Sequence, residues 1–177
     1  TPVREAVIQL SEESRIIEIF PQRGMRIALI DVELVEEARF LRLVLEKAAV
    51  ELVCGQADEE DLRWLDENIR LQEFYLEGGS SQKLLELDND MHRKLFSICR
   101  KELIYEMCQR LAIHYDRIRS LSVATVKDHK IIEDHKKLLE AIRSRDKKKA
   151  AETMDLHLNR WMMNEQMFRN QYPAYFK

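Results

Sequence analysis

The sequence predicts an all-α fold, a six-helix antiparallel bundle preceded by one further helix and a β-hairpin. Three observations carry that expectation. Only 4 Gly and 3 Pro occur in 177 residues, so turns are scarce and helices are long. From Asp31 onward apolar residues recur on the helical period of ~3.6 residues. The first thirty residues break that pattern with two short β-rich runs around a Pro/Gly turn.

The elements follow in order. Thr1 is placed as N-cap and Pro2 at the first helical position, where its missing N–H costs nothing. That helix runs to about Glu13, with Val3, Val7 and Leu10 on one face. The runs from Arg15 to Phe20 and from Met25 to Leu29 flank Pro21-Gln22-Arg23-Gly24 and read as a hairpin. A helix and a hairpin cannot bury a core alone, so segment 1–30 is expected to be part of a larger unit. Residues 31–177 form the second unit, with helices at roughly 32–55, 58–77, 81–99, 101–122, 124–144 and 146–170. The first carries Val35, Phe40, Leu41, Leu45, Ala48, Ala49 and Leu52 on an expected core stripe. Asp58 and Asp146 are expected N-caps, and Gly78-Gly79-Ser80 is the clear flexible break. Long helices with short connections pack as antiparallel neighbours.

Composition narrows the function. A hydrophobic fraction of 45% and a charged fraction of 34% are those of a globular domain, and the net charge of −3 argues against a globally basic nucleic-acid coat. Cys54, Cys99 and Cys108 are odd in number and lack CxxC spacing, so neither a disulfide framework nor a zinc ribbon is expected. No apolar run approaches bilayer length and no signal peptide opens the chain, so no membrane partner and a cytoplasmic location are expected.

The informative feature is polar residues on faces that should be apolar. On the third long helix, Asp88 and His92 are four apart within the stripe Leu84, Leu85, Met91, Leu95, Phe96. His135 is centred among Ile131, Ile132, Leu138, Leu139 and Ile142, and His157 among Ala150, Met154, Leu158 and Trp161. A buried carboxylate needs a cation or strong donors. Convergence of Asp88, His92, His135 and His157 on one divalent ion satisfies all four, and the donor set suits Zn foremost, with Ni, Mn or Fe as alternatives. The alternative is four separate core polar residues bonded to backbone or water. His114, on the stripe Met107, Leu111, Ile118, Leu121, is a candidate fifth ligand or pocket residue, or simply a hydrogen-bonded wall. Arg39, Arg42, Arg117 and Arg119 lie on helices able to line the same interior, where a guanidinium would clamp a carboxylate ligand. The Lys147-Lys148-Lys149 run reads as a solvated face.

Several segments resemble a known family. TPVREAVIQL looks like the end of the winged helix of GntR-type regulators, and RIIEIFPQRGMRIA is similar to its wing, with Pro21, Arg23 and Gly24 at the tip. Arg42-Leu-Val-Leu-Glu46 followed by Lys-Ala-Ala, LDNDMHRKLF, DHKKLLEAI and the run Ala150 to His157 resemble, in order, segments of the helical FCD sensor domain of the FadR subfamily. Six sensor helices look like the VanR branch. The sequence departs from the pattern at Met91, where Phe is usual, at Lys101-Glu102, where an asparagine is usual, and at Ser14-Arg15, where Gly-Leu is usual. The resemblance implies that segment 1–30 is a winged-helix remnant whose Thr1, Arg4, Arg23 and Gly24 approach operator DNA. It also implies that Asp88, His92, His135 and His157 ligate the metal, and that a small carboxylic acid effector tunes the DNA affinity of a homodimer. Arg42, in the first-helix signature, is the foremost effector contact, with His114, Arg39 and Arg117 beside it.

The expected function is therefore a metal-dependent, effector-responsive transcription regulator and not an enzyme. A helical metalloenzyme is the alternative, since three histidines, a carboxylate and an open position can activate water; a structural dimer with an inert metal is another. No dedicated general base or nucleophile stands beside the expected ligands.

Overall fold

The computed structural model describes residues 1–125, 129–160 and 165–177. Helix α1 (Pro2–Ser14) leads into an antiparallel hairpin of β1 (Ile17–Phe20) and β2 (Gly24–Ile27), in which Ile17 faces Ile27 and Ile19 faces Met25. Thr1 is the N-cap of α1, but its side chain makes no capping hydrogen bond. Gly24 takes φ +103° at the hairpin turn, a left-handed value that strains any residue with a Cβ.

The helical unit follows as α2 (Val32–Gln56), α3 (Glu59–Glu77), α4 (Ser81–Ile98), α5 (Glu102–Thr125), α6 (His129–Arg143), α7 (Lys147–Asn159) and α8 (Glu165–Gln171), with a 3-10 turn at Pro173–Tyr175. The helix expected over 146–170 corresponds to α7 and α8. Residues 161–164, including the Trp161 placed on its stripe, and residues 126–128 between α5 and α6 lie outside the described residues.

Both expected caps form. The Asp58 carboxylate accepts from the Glu60 and Asp61 amides while Asp61 reaches back, a capping box, and Asp146 accepts from the Lys149 amide. Such caps are each worth about 1 kcal/mol. Helix α2 runs through the middle of the bundle, packing on α7, α5, α4 and α6, while α3 packs on α4 and α6. Its inward face is the expected one only in part: Val35 and Ala49 are buried and Leu41 and Leu45 half-buried. Phe40 (63% exposed) and Leu52 (41%) point outward, and Ala48 is also exposed. The buried row is Val35, Ala38, Arg42, Glu46, Ala49, Val50 and Val53, with an ion pair at its centre. The main apolar core gathers α2 to α7 around Leu65, Met91, Leu95, Phe96, Met154 and Leu158.

A second, smaller cluster joins Ile30, Val35, Ala38, Tyr115, Ile118, Phe168 and Phe176. Here the far end of the chain is stitched to the start of the helical unit. The Ile30 amide donates to the Tyr175 carbonyl at 2.7 Å, the Lys177 amide to the Ile30 carbonyl at 3.1 Å, and Ile30 forms a parallel bridge with Phe176. No helix among the described residues is long and apolar enough to cross a membrane.

Candidate metal and effector site

Three helices supply the centre. Asp88 and His92 come from successive turns of α4, His135 from α6 and His157 from α7, and one ligand atom from each lies within 4.8 Å of all the others. His92 Nε2 is 3.2 Å from His157 Nε2, and His135 Nε2 is 3.4 Å from the same atom. Asp88 Oδ1 stands 3.3 Å from His135 Nε2, and its Oδ2 3.7 Å from His92 Nε2. The structure thus brings together all four residues singled out in the sequence.

The surrounding shell decides what the imidazoles present. His92 Nδ1 meets the Glu46 carboxylate, whose other oxygen accepts from Arg42 Nε at 2.8 Å. His135 Nδ1 is 2.8 Å from Gln72 Oε1. Gln72 is itself fixed, because its amide nitrogen donates to Asn68 Oδ1 at 2.6 Å, leaving the oxygen toward the histidine. Acceptors at Nδ1 put the ring proton there and leave the Nε2 lone pairs aimed at one another. His157 Nδ1 is buried without a hydrogen-bond partner among the described residues. Facing lone pairs beside a carboxylate gain only when a cation sits among them, so the donor set fits a divalent ion.

The electrostatics agree. Burial pushes the pKa of His135 down to about 4 and that of His157 well below its usual value, so both rings are neutral at neutral pH. Burial alone would raise Asp88, yet Arg119 and the three imidazoles hold its carboxyl well below the usual range. Glu46 behaves alike: burial raises it, but Arg42 and His92 bring it to about 2.

Beside the cluster lies a cavity of about 50 Å³ lined by Asp88, His157, Arg42, Arg119, Arg160 and Tyr115, and on its other walls by Leu84, Leu85, Ser122, Val123 and Ile131. Arg42 is buried under the Tyr115 ring, 5.0 Å from its centroid, and its Nη1 has no partner among the described residues. Arg119 binds Asp88, Asp116 (2.6 Å) and Asn89 (2.9 Å). Arg160 grips the fully buried Asp134 with two nitrogens. The other expected effector contacts are not brought to this cavity. Arg39 pairs with Glu36 and donates to Asn159 Oδ1 at 2.6 Å. His114 Nε2 donates to the Ser14 carbonyl at 2.7 Å, and Arg117 to the Ala28 carbonyl at 2.8 Å, so both tie α5 to segment 1–30. Thr1, Arg4, Arg23 and Gly24 are exposed on α1 and at the hairpin turn, away from the cavity.

Sequence reasoning missed Glu46, Gln72, Asn68, Tyr115 and Arg160 as parts of the site. Glu46 carried a signal, standing four residues after Arg42. Gln72 did too, since it falls in the row Leu65, Ile69, Gln72, Leu76 that is buried on α3.

Comparison with known proteins agrees with this architecture. Residues 37–160 match the FCD domain family. The HTH-type transcriptional repressor RspR of Escherichia coli is 27% identical over 176 residues, covering 99% of this chain and 77% of the relative. The HTH-type transcriptional regulator YdhC of Bacillus subtilis is 26% identical over 165 residues, covering 90% and 71%. Among solved structures, E. coli McbR/YncC superposes with a TM-score of 0.82 at 19% identity, over 97% of this chain and 85% of that one. Streptococcus agalactiae GntR gives 0.56 at 24% identity, over 88% and 78%. With most of its helical unit matched to that family and its fold shared with such proteins, the chain belongs to the FCD domain family and is a GntR-type transcription regulator of the FadR kind.

Proposed function

We propose that residues 31–177 sense a small carboxylate through a divalent metal ion held by Asp88, His92, His135 and His157, with zinc foremost and nickel, manganese or iron also suited to these donors. One observation carries the reading: three imidazole Nε2 atoms converge on the Asp88 carboxylate while Glu46 and Gln72 hold the Nδ1 protons outside. The bound ion supplies a Lewis-acidic centre for carboxylate oxygens. Arg42, buried at the cavity wall with an unpartnered Nη1, supports the acidic character of the effector.

Segment 1–30 belongs in this reading to the DNA-binding winged helix of a homodimer. Arg4 on α1 reaches the major groove or its phosphates, Thr1 lies beside it, and Arg23 and Gly24 approach the DNA backbone at the wing tip. The effector shifts the population of dimer arrangements that present two such segments to an operator. The cavity supports a sensor over an enzyme, because its carboxylate, Asp88, is bound by Arg119, and the Tyr115 hydroxyl, with its pKa pushed up to about 12 by burial, donates to the Leu158 carbonyl.

Elemental analysis and thermal melting test the metal. Wild-type protein is expected to carry about one divalent ion per chain and to melt higher with it than after chelation. His157→Ala is expected to lose most of the ion. Wild-type metal content in that variant overturns the site.

A further inference from the structure

We infer that the effector is a short aliphatic monocarboxylate, plain or 2-hydroxylated, and that di- and tricarboxylates are discriminated against. The inference rests on the metal-and-carboxylate reading above and names the class of acid from the charge and layering of the cavity.

Charge is the first argument. The cavity wall and its direct ion-pair partners hold three guanidinium groups, Arg42, Arg119 and Arg160, against four carboxylates, Glu46, Asp88, Asp116 and Asp134. The net charge among these described residues is −1, and a divalent ion makes it +1. One carboxylate neutralises the site, whereas a second leaves it negative in a poorly solvated space. The donors point the same way. Arg119 is held by Asp88, Asp116 and Asn89, and Arg160 by Asp134. Among the described residues, the buried guanidinium nitrogen at the cavity without a partner belongs to Arg42. It serves one carboxylate.

Layering is the second argument. Leu84 precedes Asp88 by four residues on α4, Ile131 precedes His135 by four on α6, and Val123 follows Arg119 by four on α5. Contacts link α4 to α5, and each aliphatic residue lies on the cavity wall together with Asp88 or Arg119. The aliphatic wall is thus offset from the charged layer by about one helical turn, ~5.4 Å. A second carboxylate on a short acid gripped at the metal falls against Leu84, Leu85, Val123 and Ile131, with the Ser122 hydroxyl beside them; one hydroxyl does not replace the solvation of a charge, so a methyl group gains there and a charge loses. A cavity of about 50 Å³ has room for a small occupant. This favours a short acid.

Two matched pairs test the class: butyrate against succinate, and 2-hydroxybutyrate against malate. Within each pair the molecules differ only in a terminal methyl or carboxylate. Calorimetric titration into the zinc-loaded protein is expected to favour the methyl-ended acid by at least about tenfold in both pairs, the scale on which a pocket reads one small group. Leu85→Gln, at a half-buried wall position one turn from Asp88 and outside the set of metal ligands, is expected to narrow that ratio while zinc content stays constant. Equal affinity within the pairs, or tighter binding of succinate or malate, overturns the inference but leaves a metal-bound carboxylate effector standing. Unchanged discrimination in Leu85→Gln overturns the role of the aliphatic wall. No heat with any of the four acids overturns the inference and the carboxylate reading together.

Discussion

Glu46 is the residue whose removal tells most about how the centre is built. It is 1% exposed, takes Arg42 on one oxygen and His92 Nδ1 on the other, and so carries both the charge balance of α2 and the ring orientation of a proposed ligand. Glu46→Gln keeps the shape and removes the charge. Its carboxyl pKa falls from 4.5 to about 2 in the fold, and at 1.36 kcal/mol per unit that is ~3 kcal/mol of stability, on the order of the 3–5 kcal/mol measured when one partner of a buried pair is lost. The sign follows from linkage: the folded pKa is depressed, so the contribution is complete above about pH 4.5 and is lost as pH falls toward 2. At neutral pH the metal-free variant is expected to melt roughly 6–12 °C lower, at about 2–4 °C per kcal/mol for a chain of this size. Zinc affinity, read by competition with a chromogenic chelator, is expected to fall about 10- to 100-fold, the usual cost of losing the group behind a metal-bound histidine. The double variant Arg42→Met/Glu46→Met separates the two effects. Replacing the pair by apolar groups should recover much of the melting temperature but none of the zinc affinity. If Glu46→Gln matches wild type in both measurements, the ion pair does not support the site.

Two further outcomes follow from the fold. His114 is buried between α5 and the end of α1, and burial lowers its pKa from 6.5, only partly offset by the Ser14 carbonyl. Its neutral form is favoured on folding, so its stabilising share is complete above 6.5 and is lost as pH falls from 6.5 toward the depressed value; the melting gap between wild type and His114→Gln should therefore change between about pH 5 and 7.5, and a constant gap refutes this. Arg100 holds φ 56° at the end of α4, where the Lys101 amide reaches the Phe96 carbonyl at 2.8 Å. Arg100→Gly is expected to gain up to about 1 kcal/mol in denaturant melts, and an equal gain in Arg100→Ala would show that backbone conformation is not the cause.

The helices were legible because each carries a long apolar stripe and few breakers, and their ends because Asp58 and Asp146 cap by local chemistry. The cluster of three histidines and an aspartate was legible because these residues interrupt those stripes at helical spacing. Helix α2 misled for the converse reason. Its rows containing Phe40 and Leu52 look more apolar than the row containing Arg42 and Glu46, so the expected stripe, right at Val35 and Ala49, was drawn too far toward the exposed edge of the helix. An ion pair that neutralises itself over one turn can lie inside, but that requires His92 and Tyr115 from other helices, which periodicity along α2 does not see. Arg39, Arg117 and Arg119 are likewise indistinguishable along the chain. Only packing sends Arg119 to Asp88 and Arg117 to the end of the hairpin.

The stitch between Ile30 and the segment around Phe176 has a consequence for the order of assembly. Asp31 and Lys177, paired at 2.8 Å beside it, are 146 residues apart. Closing so long a loop in an unfolded chain is entropically unfavourable, and two backbone hydrogen bonds with one ion pair do not offset it. Once α2 to α7 have packed, the same ends are already neighbours and the remaining loss is small. The seam is therefore a late event, and the direction in which the hairpin leaves the bundle is inherited from a finished core. Substitutions in that core should reach the hairpin through the timing and occupancy of this seam, without any change in the hairpin's own sequence.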